Sequence, residues 1–335
     1  MKDKFVGLAV STLTFSILIL LSLLPSLLFI NNIEATPSST PLSIVSTRGD
    51  FGLSSGKLLL GHSATSYDPP ISEVAPTCTQ DREIVIYVHG WNADEQNALD
   101  QFNTVKASLD SLGYTQQIIG FSWDSNTMSS GWDWFDDWED GKKIAQKNGL
   151  KLAKLILDLK SFCENAKIHL VGHSLGASVI LNALDRLHND QRLQPWNSAD
   201  RNYRIDSVHL LGAAVSPADI SLTQGFGSAI ISEVDDEFHN KYSIQDDTLE
   251  GVYLNTEGHR ALGQVGAQGW QSGVQGIYHQ QEVSSEISLD GDGDGIDDEE
   301  NLGDNHMGYA GVVNQNTGQV TSDGVINLLV NEWGN

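Results

Sequence analysis

Apolar residues in the middle of the chain form short continuous runs that alternate with amphipathic segments. Residues 84–88 are mostly β-branched and aromatic, which is typical of a strand buried on both faces. Residues 94–112 place apolar side chains on one stripe at helical spacing, and Gly113 then ends the predicted helix. This alternation predicts a parallel sheet with helices on both faces, an α/β fold. Further strands are predicted at 117–123, 168–171, 208–215 and 251–255, and further helices at 142–159, 177–187 and 323–333.

The amino-terminal residues have a different pattern. Lys2 and Lys4 precede an uncharged apolar run at 5–30, which is long enough to span a bilayer and also resembles a secretory signal. We therefore expect residues 1–35 to be a signal peptide or an N-terminal membrane anchor. The rest of the protein is then secreted or membrane-anchored, outside the cytoplasm. Residues 36–77 are rich in Ser, Thr and Pro and are expected to form a linker.

The charge balance narrows the classes of partner. The 335 residues include 44 acidic and 19 basic side chains, a net charge of -25. Such a surface repels nucleic acid phosphates, so we expect no nucleic-acid binding. A small-molecule substrate is the expected partner, and contact with a membrane is expected only through an uncleaved N-terminal segment.

One motif indicates a candidate catalytic nucleophile. The third predicted strand runs into Gly172-His173-Ser174-Leu175-Gly176, and a predicted helix follows at once. This is the Gly-x-Ser-x-Gly pattern in its required context of strand, tight turn and helix. The turn exposes the Ser174 hydroxyl at a helix N-terminus, where a developing negative charge is stabilised. The backbone N–H of Leu175 is then directed at an oxyanion.

A second motif follows the first predicted strand, where residues 88–92 read Val-His-Gly-Trp-Asn. An acyl-transfer enzyme needs its other oxyanion donor at this point. Gly90 allows a substrate to approach the backbone, and the N–H of Trp91 is the candidate donor.

Residues 87–92, 120–125 and 171–177 together resemble the α/β-hydrolase superfamily, and are most similar to its lipase- and esterase-like branch of largely uncharacterised function. The resemblance implies an α/β-hydrolase domain over 78–335. It also implies a Ser–acid–His triad in that chain order, acting through an acyl-enzyme. Residues 216–250, which are polar and lie between two predicted strands, are expected to cross over the sheet as a lid.

The triad order places the histidine near the C-terminus, after the last strand. His306 lies in that region among small residues and is the first candidate for the base that a serine nucleophile requires. His279 and His259 are the second and third candidates.

The acid is expected just after the predicted strand at 251–255, where Glu257 is the nearest carboxylate. Most relatives have Asp at this turn, and this sequence does not. Asp246 and Asp247 are the alternatives if the strand lies elsewhere.

An acidic segment at 290–301 resembles an EF-hand calcium loop, with acidic side chains at positions 1, 3, 5 and 9 and Gly295 at position 6. Position 12 is Asn301 rather than Glu, and Glu300 is expected to substitute for it. A structural Ca²⁺ is therefore predicted, because clustered carboxylates without a cation repel one another. Its predicted ligands are Asp290, Asp292, Asp294, Ile296, Asp298 and Glu300.

The two cysteines lie at equal offsets from the two motifs. Cys78 is 11 residues before His89, and Cys163 is 11 residues before Ser174. In the α/β-hydrolase fold the two strands concerned are parallel neighbours, so both cysteines are expected at the same far end of the sheet. We predict a Cys78–Cys163 disulfide that adds stability.

The sequence favours a serine hydrolase of carboxylic esters that needs no cofactor for catalysis. Two alternatives remain: a non-catalytic, calcium-dependent surface module on a hydrolase-like core, and an amidase or peptidase with the same triad. Lipid substrates are a further expectation, because an aromatic surround for an acyl chain is available from Trp91, Trp123, Trp132, Trp134, Phe135 and Trp138.

Overall fold

The structure is a computed structural model that describes residues 41–75, 82–128, 134–190, 193, 204–288, 304–314 and 316–334. These residues all belong to one structural unit, Ser39–Asn335. The predicted signal or anchor at 1–35 lies outside the described residues. Within the described ranges, no helix is both long and apolar enough to cross a membrane.

A seven-stranded sheet forms the centre of the molecule, with the strand order β1-β5-β4-β6-β7-β8-β9. Every neighbouring pair in it is parallel. Two small antiparallel hairpins, β2–β3 and β10–β11, lie outside this sheet. The described strands are β1 (Leu42–Ser46), β2 (Phe51–Gly52), β3 (Lys57–Leu58), β4 (Glu83–Val88), β5 (Gln117–Ser122), β6 (Lys167–His173), β7 (Ile205–Leu211), β8 (Val234–Tyr242), β9 (Tyr278–Glu282), β10 (Val312–Val313) and β11 (Val320–Ser322).

Helices cover both faces of the sheet. The described α-helices are α1 (Ile71–Val74), α2 (Glu95–Ser111), α3 (Trp134–Phe162), α4 (Gly176–Asn189), α5 (Gly227–Glu233), α6 (Leu254–Glu257), α7 (Leu262–Val265), α8 (Asp304–Met307) and α9 (Ile326–Glu332). Helices α3 and α4 pack on one face, and α2 and α9 pack on the other. The predicted α/β fold with a parallel sheet is confirmed.

Strand β4 shows why the central strands have continuous apolar sequences. Ile84, Ile86 and Val88 face the core under α3 and α4, whereas Val85 and Tyr87 face the core under α2 and α9. A strand covered on both faces must be apolar at every position.

Strand order determines where a ligand can bind. From β4 the chain moves to β5 on one side, and then crosses back to β6 on the other side of β4. The carboxyl ends of β4 and β6 therefore form a topological switch point, where the connections diverge and leave a crevice. The turn that carries Ser174 follows β6 at this point.

Strand β8 lies inside the segment 216–250, which was expected to be a lid. Its sequence is polar, yet four consecutive residues from Phe238 to Lys241 are buried. Partners compensate for this burial: His239 and Lys241 face Glu332 of α9, and Asn240 donates to the carbonyl of Leu262 at 3.2 Å. Hydropathy could not identify this strand, because its polar side chains are satisfied by distant residues.

Two further expectations differ from the structure. Residues 251–255, predicted as a strand, lie in a π-helical turn, Leu249–Tyr253, and in the following α6. The expected linker at 36–77 contributes the edge strand β1, in which Val45 is fully buried. An edge strand is covered less than a central one, so the mixed sequence of β1, with Ser at two of its five positions, satisfies it.

Candidate active site

The turn between β6 and α4 holds Ser174 in a left-handed conformation, with φ of 54°. Such a conformation is strained for a residue with a side chain and is found where function requires it. Two backbone hydrogen bonds hold it in place. The N–H of Ser174 donates to the carbonyl of Leu211 at 2.9 Å, and the N–H of Ala214 donates to the carbonyl of Ser174 at 3.1 Å.

Glycines allow the backbone to pack closely around this turn. A Cβ at Gly176 would lie 2.3 Å from the carbonyl oxygen of Val88, and a Cβ at Gly90 would lie 2.8 Å from the Cβ of Ser174. No side chain fits at these distances. The two sequence motifs are therefore in direct contact, as their positions after adjacent parallel strands require.

His306 is held by a carboxylate next to this turn. Its Nδ1 lies 2.7 Å from Oδ2 of Asp246, and both residues are buried. Asp246 is itself oriented, because its Oδ1 accepts from the N–H of Leu249 at 2.9 Å and its Oδ2 accepts from the hydroxyl of Tyr309 at 3.3 Å. A proton on Nδ1 leaves the lone pair on Nε2, the arrangement that a general base requires.

The Nε2 atom of His306 is buried and has no hydrogen-bond partner among the described residues. A buried ring nitrogen without a protein partner leaves its lone pair available to another group. A serine hydroxyl and a substrate oxygen are both suitable partners.

His173 connects the two parts of the site. Its Nε2 lies 2.7 Å from the backbone carbonyl oxygen of His306, and the two rings are 4.7 Å apart. Burial, followed by the charge of the neighbouring His306, lowers the pKa of His173 to about 3, so the ring is neutral and its Nε2–H donates to that carbonyl. The residue before Ser174 therefore fixes the backbone that carries His306. No pattern near His173 in the sequence indicates this role, because the contact joins residues 133 positions apart.

Glu257, the expected acid, lies elsewhere. Its Oε1 accepts from Nε1 of Trp138 at 2.6 Å and from Nζ of Lys142 at 2.5 Å. Burial raises the pKa of Glu257, but the hydrogen bonds from Lys142 and Trp138 outweigh this effect and lower it below its ordinary value. The structure does not bring Glu257 to His306. The alternative, Asp246, makes that contact, because it follows the strand β8, whereas residues 251–255 are helical.

The remaining candidates also lie apart from this contact. Asp247 follows Asp246, and its N–H donates to Oδ1 of Asn305 at 3.3 Å. His279 lies in β9 and stacks on His239 at 5.1 Å. His259 is exposed, and its ring lies 5.6 Å from that of Tyr253.

Two backbone N–H groups are available as oxyanion donors. The N–H of Leu175 and the N–H of Trp91 donate to no acceptor in the described part of the chain. His89 orients the peptide that contains the N–H of Trp91. Its Nε2 accepts from the N–H of Trp123 at 3.0 Å, so its Nδ1 carries the proton. This Nδ1–H donates to the carbonyl of Gly90 at 2.9 Å. Fixing this carbonyl turns the N–H of the same peptide, that of Trp91, to the opposite side. Burial, and then the charge of Arg48, lower the pKa of His89 to about 3, which keeps this arrangement neutral.

A cavity of about 250 Å³ adjoins the turn and is lined by Leu175 and by Ala214. It extends between α3 and α4, where Gln146 and Asn182 line it. Most of its other walls are also polar side chains.

The aromatic residues expected to surround an acyl chain are mostly occupied in packing. Trp123 is fully buried and stacks on His89 at 5.5 Å, and Trp138 packs edge-to-face on Trp91 at 5.2 Å. Trp134 and Phe135 contact each other at 4.2 Å, and Phe135 is exposed. Trp132 lies outside the described residues.

The predicted calcium loop at 290–301, with all of its predicted ligands, lies outside the described residues, so calcium binding stays a prediction. Cys163 is buried and is not a free thiol. Its predicted partner Cys78 also lies outside the described residues, and the disulfide stays a prediction.

A cluster of potential metal ligands within the described ranges consists of His209, His239 and Glu332, whose ligand atoms lie within 4.8 Å of one another. Nε1 of Trp333 donates to Nε2 of His209 at 2.9 Å, so the neutral ring carries its proton on Nδ1, the atom that faces Glu332 at 3.3 Å. The ammonium of Lys241 is bonded to the same carboxylate. A cation would displace both a proton and an ammonium, so this cluster fits an ion pair between β8 and α9 and not a metal site.

Solved structures of several esterases and lipases are similar to the chain at low identity. An acetylxylan esterase solved at 0.90 Å resolution shares 12% identity over 69% of this chain and 92% of that one, with a TM-score of 0.35. Phospholipase PlaB from Legionella pneumophila, in complex with thio-NAD, shares 13% over 51% of this chain and 40% of that one, with a TM-score of 0.30. Esterase B from Lactobacillus rhamnosis shares 11% over 61% and 65%, with a TM-score of 0.32. No curated protein matches the chain.

The family assignment comes from the sequence model that describes alpha/beta hydrolases of unknown function (DUF900). Its match covers residues 72–264, more than half of the chain, and includes both motifs and Asp246. Together with the parallel sheet and the strained turn after β6, this match confirms the predicted resemblance: the chain belongs to the DUF900 family of α/β-hydrolases.

Proposed function

We propose that the protein is a serine hydrolase that cleaves carboxylic esters through an acyl-enzyme on Ser174. One observation carries the proposal above all others. His306, bound through Nδ1 to the buried Asp246, lies against His173, and its Nε2 has no partner among the described residues. This is the orientation of a general base beside a serine that a strained turn presents.

In the proposed reaction, Oγ of Ser174 attacks the ester carbonyl carbon while its proton passes to Nε2 of His306. The N–H groups of Leu175 and Trp91 stabilise the negative charge on the carbonyl oxygen. The carbon–oxygen bond to the alcohol then breaks, and the alcohol leaves with the proton from Nε2. A water molecule attacks the acyl-enzyme, gives its proton to Nε2, and the proton finally returns to Oγ as the acid is released.

A fluorophosphonate probe tests the nucleophile directly, because it reacts covalently with activated serines. We expect labelling of the wild-type protein at Ser174, identified by peptide mass, and none of Ser174→Ala. Hydrolysis of p-nitrophenyl acetate is expected to follow the same pattern. Labelling at another residue, or equal hydrolysis by both proteins, would refute the proposal.

We also propose that the enzyme works outside the cytoplasm, with a Cys78–Cys163 disulfide and a structural Ca²⁺ in the loop at 290–301. The apolar run at 5–30, the even cysteine number and the acidic loop pattern support this proposal. The expected results are a mass gain on alkylation only after reduction, and a lower melting temperature in a chelator. Alkylation without reduction would exclude the disulfide, and an unchanged melting temperature would exclude a structural Ca²⁺.

A further inference from the structure

The cavity beside Leu175 is a suitable place for part of the substrate, because it adjoins the turn that carries Ser174. Leu175 directly follows the proposed nucleophile, and the N–H of Ala214, another lining residue, bonds to the carbonyl of Ser174. The cavity lies at the carboxyl ends of β6 and β7, which is the edge of a parallel sheet where ligands bind.

Its volume of about 250 Å³ is small. Pockets for drug-sized ligands range over roughly 300–1,000 Å³. The cavity therefore accepts a short group or a single ring, and not an extended acyl chain.

Polar side chains in its wall retain unused hydrogen-bonding capacity. Among the described residues, the amide of Gln146, the hydroxyl of Tyr253 and Oε2 of Glu257 have no partner. The amide nitrogen of Asn182 donates to the carbonyl of Ser178 at 2.8 Å, which leaves its Oδ1 as a further acceptor. A hydrocarbon group in this space would displace water from these atoms and leave them unpaired, which is unfavourable.

The charges in the wall disfavour an anionic ligand. In the lining that the structure describes, Lys142 has the one permanent positive charge, and its Nζ is held by Glu139 at 2.7 Å and Glu257 at 2.5 Å. The carboxylate of Asp219 also lines the cavity. A carboxylate or phosphate on the substrate would meet these acids without an unpaired cation.

Apolar surface is present on one side, where the half-buried ring of Phe226 lines the cavity together with Val215. A saturated ring with hydroxyl groups has both features that this wall requires: C–H groups that pack on an aromatic face, and hydroxyls that donate and accept hydrogen bonds.

We infer that the enzyme acts on small, uncharged, hydroxylated esters, of the kind formed by a sugar, a polyol or a polyhydroxy acid, and that this cavity holds their hydroxylated part. The inference rests on the proposed function, since it names the substrate class of the same site. A site whose polar groups pair with substrate hydroxyls rejects the analogue that lacks them.

Two matched pairs of esters test the inference, with acid release followed in a pH-stat. In the first pair the alcohol differs: 6-O-acetylglucose against cyclohexylmethyl acetate. In the second pair the acyl group differs: methyl quinate against methyl cyclohexanecarboxylate. We expect kcat/KM for the hydroxylated member to exceed that of its hydrocarbon analogue by about tenfold or more in at least one pair. A preference of less than about tenfold in both pairs, or a preference for the hydrocarbon members, would overturn the inference.

Two variants test whether the preference for hydroxylated esters depends on the cavity. Gln146→Leu changes an exposed helical position, so the fold is expected to persist. It should lower the ratio of kcat/KM for the preferred hydroxylated ester to kcat/KM for its hydrocarbon analogue about tenfold. The matched control is Gln96→Leu on the exposed side of α2, which should leave this ratio unchanged.

Fluorophosphonate labelling separates the two possible failures. Labelled enzyme that prefers the hydrocarbon esters, or a Gln146→Leu variant that keeps the wild-type preference, contradicts the inference and leaves the serine hydrolase intact. Absence of labelling at Ser174 removes the proposed function and the inference together.

Discussion

Replacing Asp246 with Asn tests whether this carboxylate keeps the ring proton of His306 on Nδ1. The substitution keeps the shape of the side chain, so its effect depends on which amide atom faces His306. The N–H of Leu249 donates to Oδ1 at 2.9 Å, and this bond keeps the remaining oxygen of the new amide at that position. The NH₂ group then takes the place of Oδ2, which lies 2.7 Å from Nδ1 of His306.

An NH₂ group at that position donates to Nδ1 and requires the ring proton to move to Nε2. His306 then cannot accept the proton of Ser174. In a serine protease the equivalent change lowers kcat about 10⁴-fold by imposing the wrong tautomer, or about 5.5 kcal/mol of transition-state stabilisation. We expect a reduction of similar size in Asp246→Asn, on the order of 10³ to 10⁴.

The assay is kcat for p-nitrophenyl acetate, with the rate of fluorophosphonate labelling as a second measurement. Glu257→Gln is the matched control, because its carboxylate binds Trp138 and Lys142 instead of His306. It should retain kcat within a few-fold of the wild type. Near-ultraviolet circular dichroism checks that both variants fold. Retention of more than a tenth of the activity by a folded Asp246→Asn, or an equal loss in Glu257→Gln, would refute the assignment of the acid.

Three other predictions concern the oxyanion turn, the acid stability and a buried ion pair. Gly90→Ala places a methyl group 2.8 Å from the Cβ of Ser174, so kcat should fall by about 10² or more, while Gly276→Ala, with open space around it, should have no effect on kcat. The free energy of unfolding should fall as the pH drops from about 6.5 to about 4, by about 1.4 kcal/mol per pH unit for each buried histidine that stays neutral in the folded protein. The reason is that the unfolded chain binds a proton at each of these histidines, whose pKa burial lowers to about 3 or 4: His89, His169, His173 and His209. Equal urea midpoints at pH 7 and pH 5 would contradict this prediction. Lys151→Met removes the buried partner of Asp50 (2.6 Å) and should cost about 3–5 kcal/mol in urea unfolding, against about 0–1 kcal/mol for Lys106→Met at a more exposed pair; similar losses in both would count against the pairing argument.

Strand assignment from hydropathy succeeded where the residues were covered by apolar neighbours and failed where they were covered by polar ones. β4 has apolar side chains on both faces from Ile84 to Val88, and the sequence shows this strand directly. β8 is buried to a similar degree along its second half, but its His239 and Lys241 are matched by Glu332, which lies 91 residues or more away. No pattern within the strand indicates that such a partner exists.

The unrecognised strand β8 explains why the sequence favoured Glu257, and not Asp246, as the partner of His306. The acid was expected just after residues 251–255, where Glu257 is the nearest carboxylate, but these residues are helical. Strand β8 ends at Tyr242, shortly before Asp246.

The amino-acid sequence by itself determines those features whose residues lie close together along the chain. A glycine-flanked serine between an apolar strand and a helix, and a His-Gly after the neighbouring strand, identify the turn, because every residue that forms it lies within a few positions. The sequence alone does not determine which residues distant along the chain contact each other. Asp246 rather than Glu257 meets His306 across 60 residues because of how β8 adds to the sheet and how Leu249 and Tyr309 orient the carboxylate, and only the packed chain determines those distances.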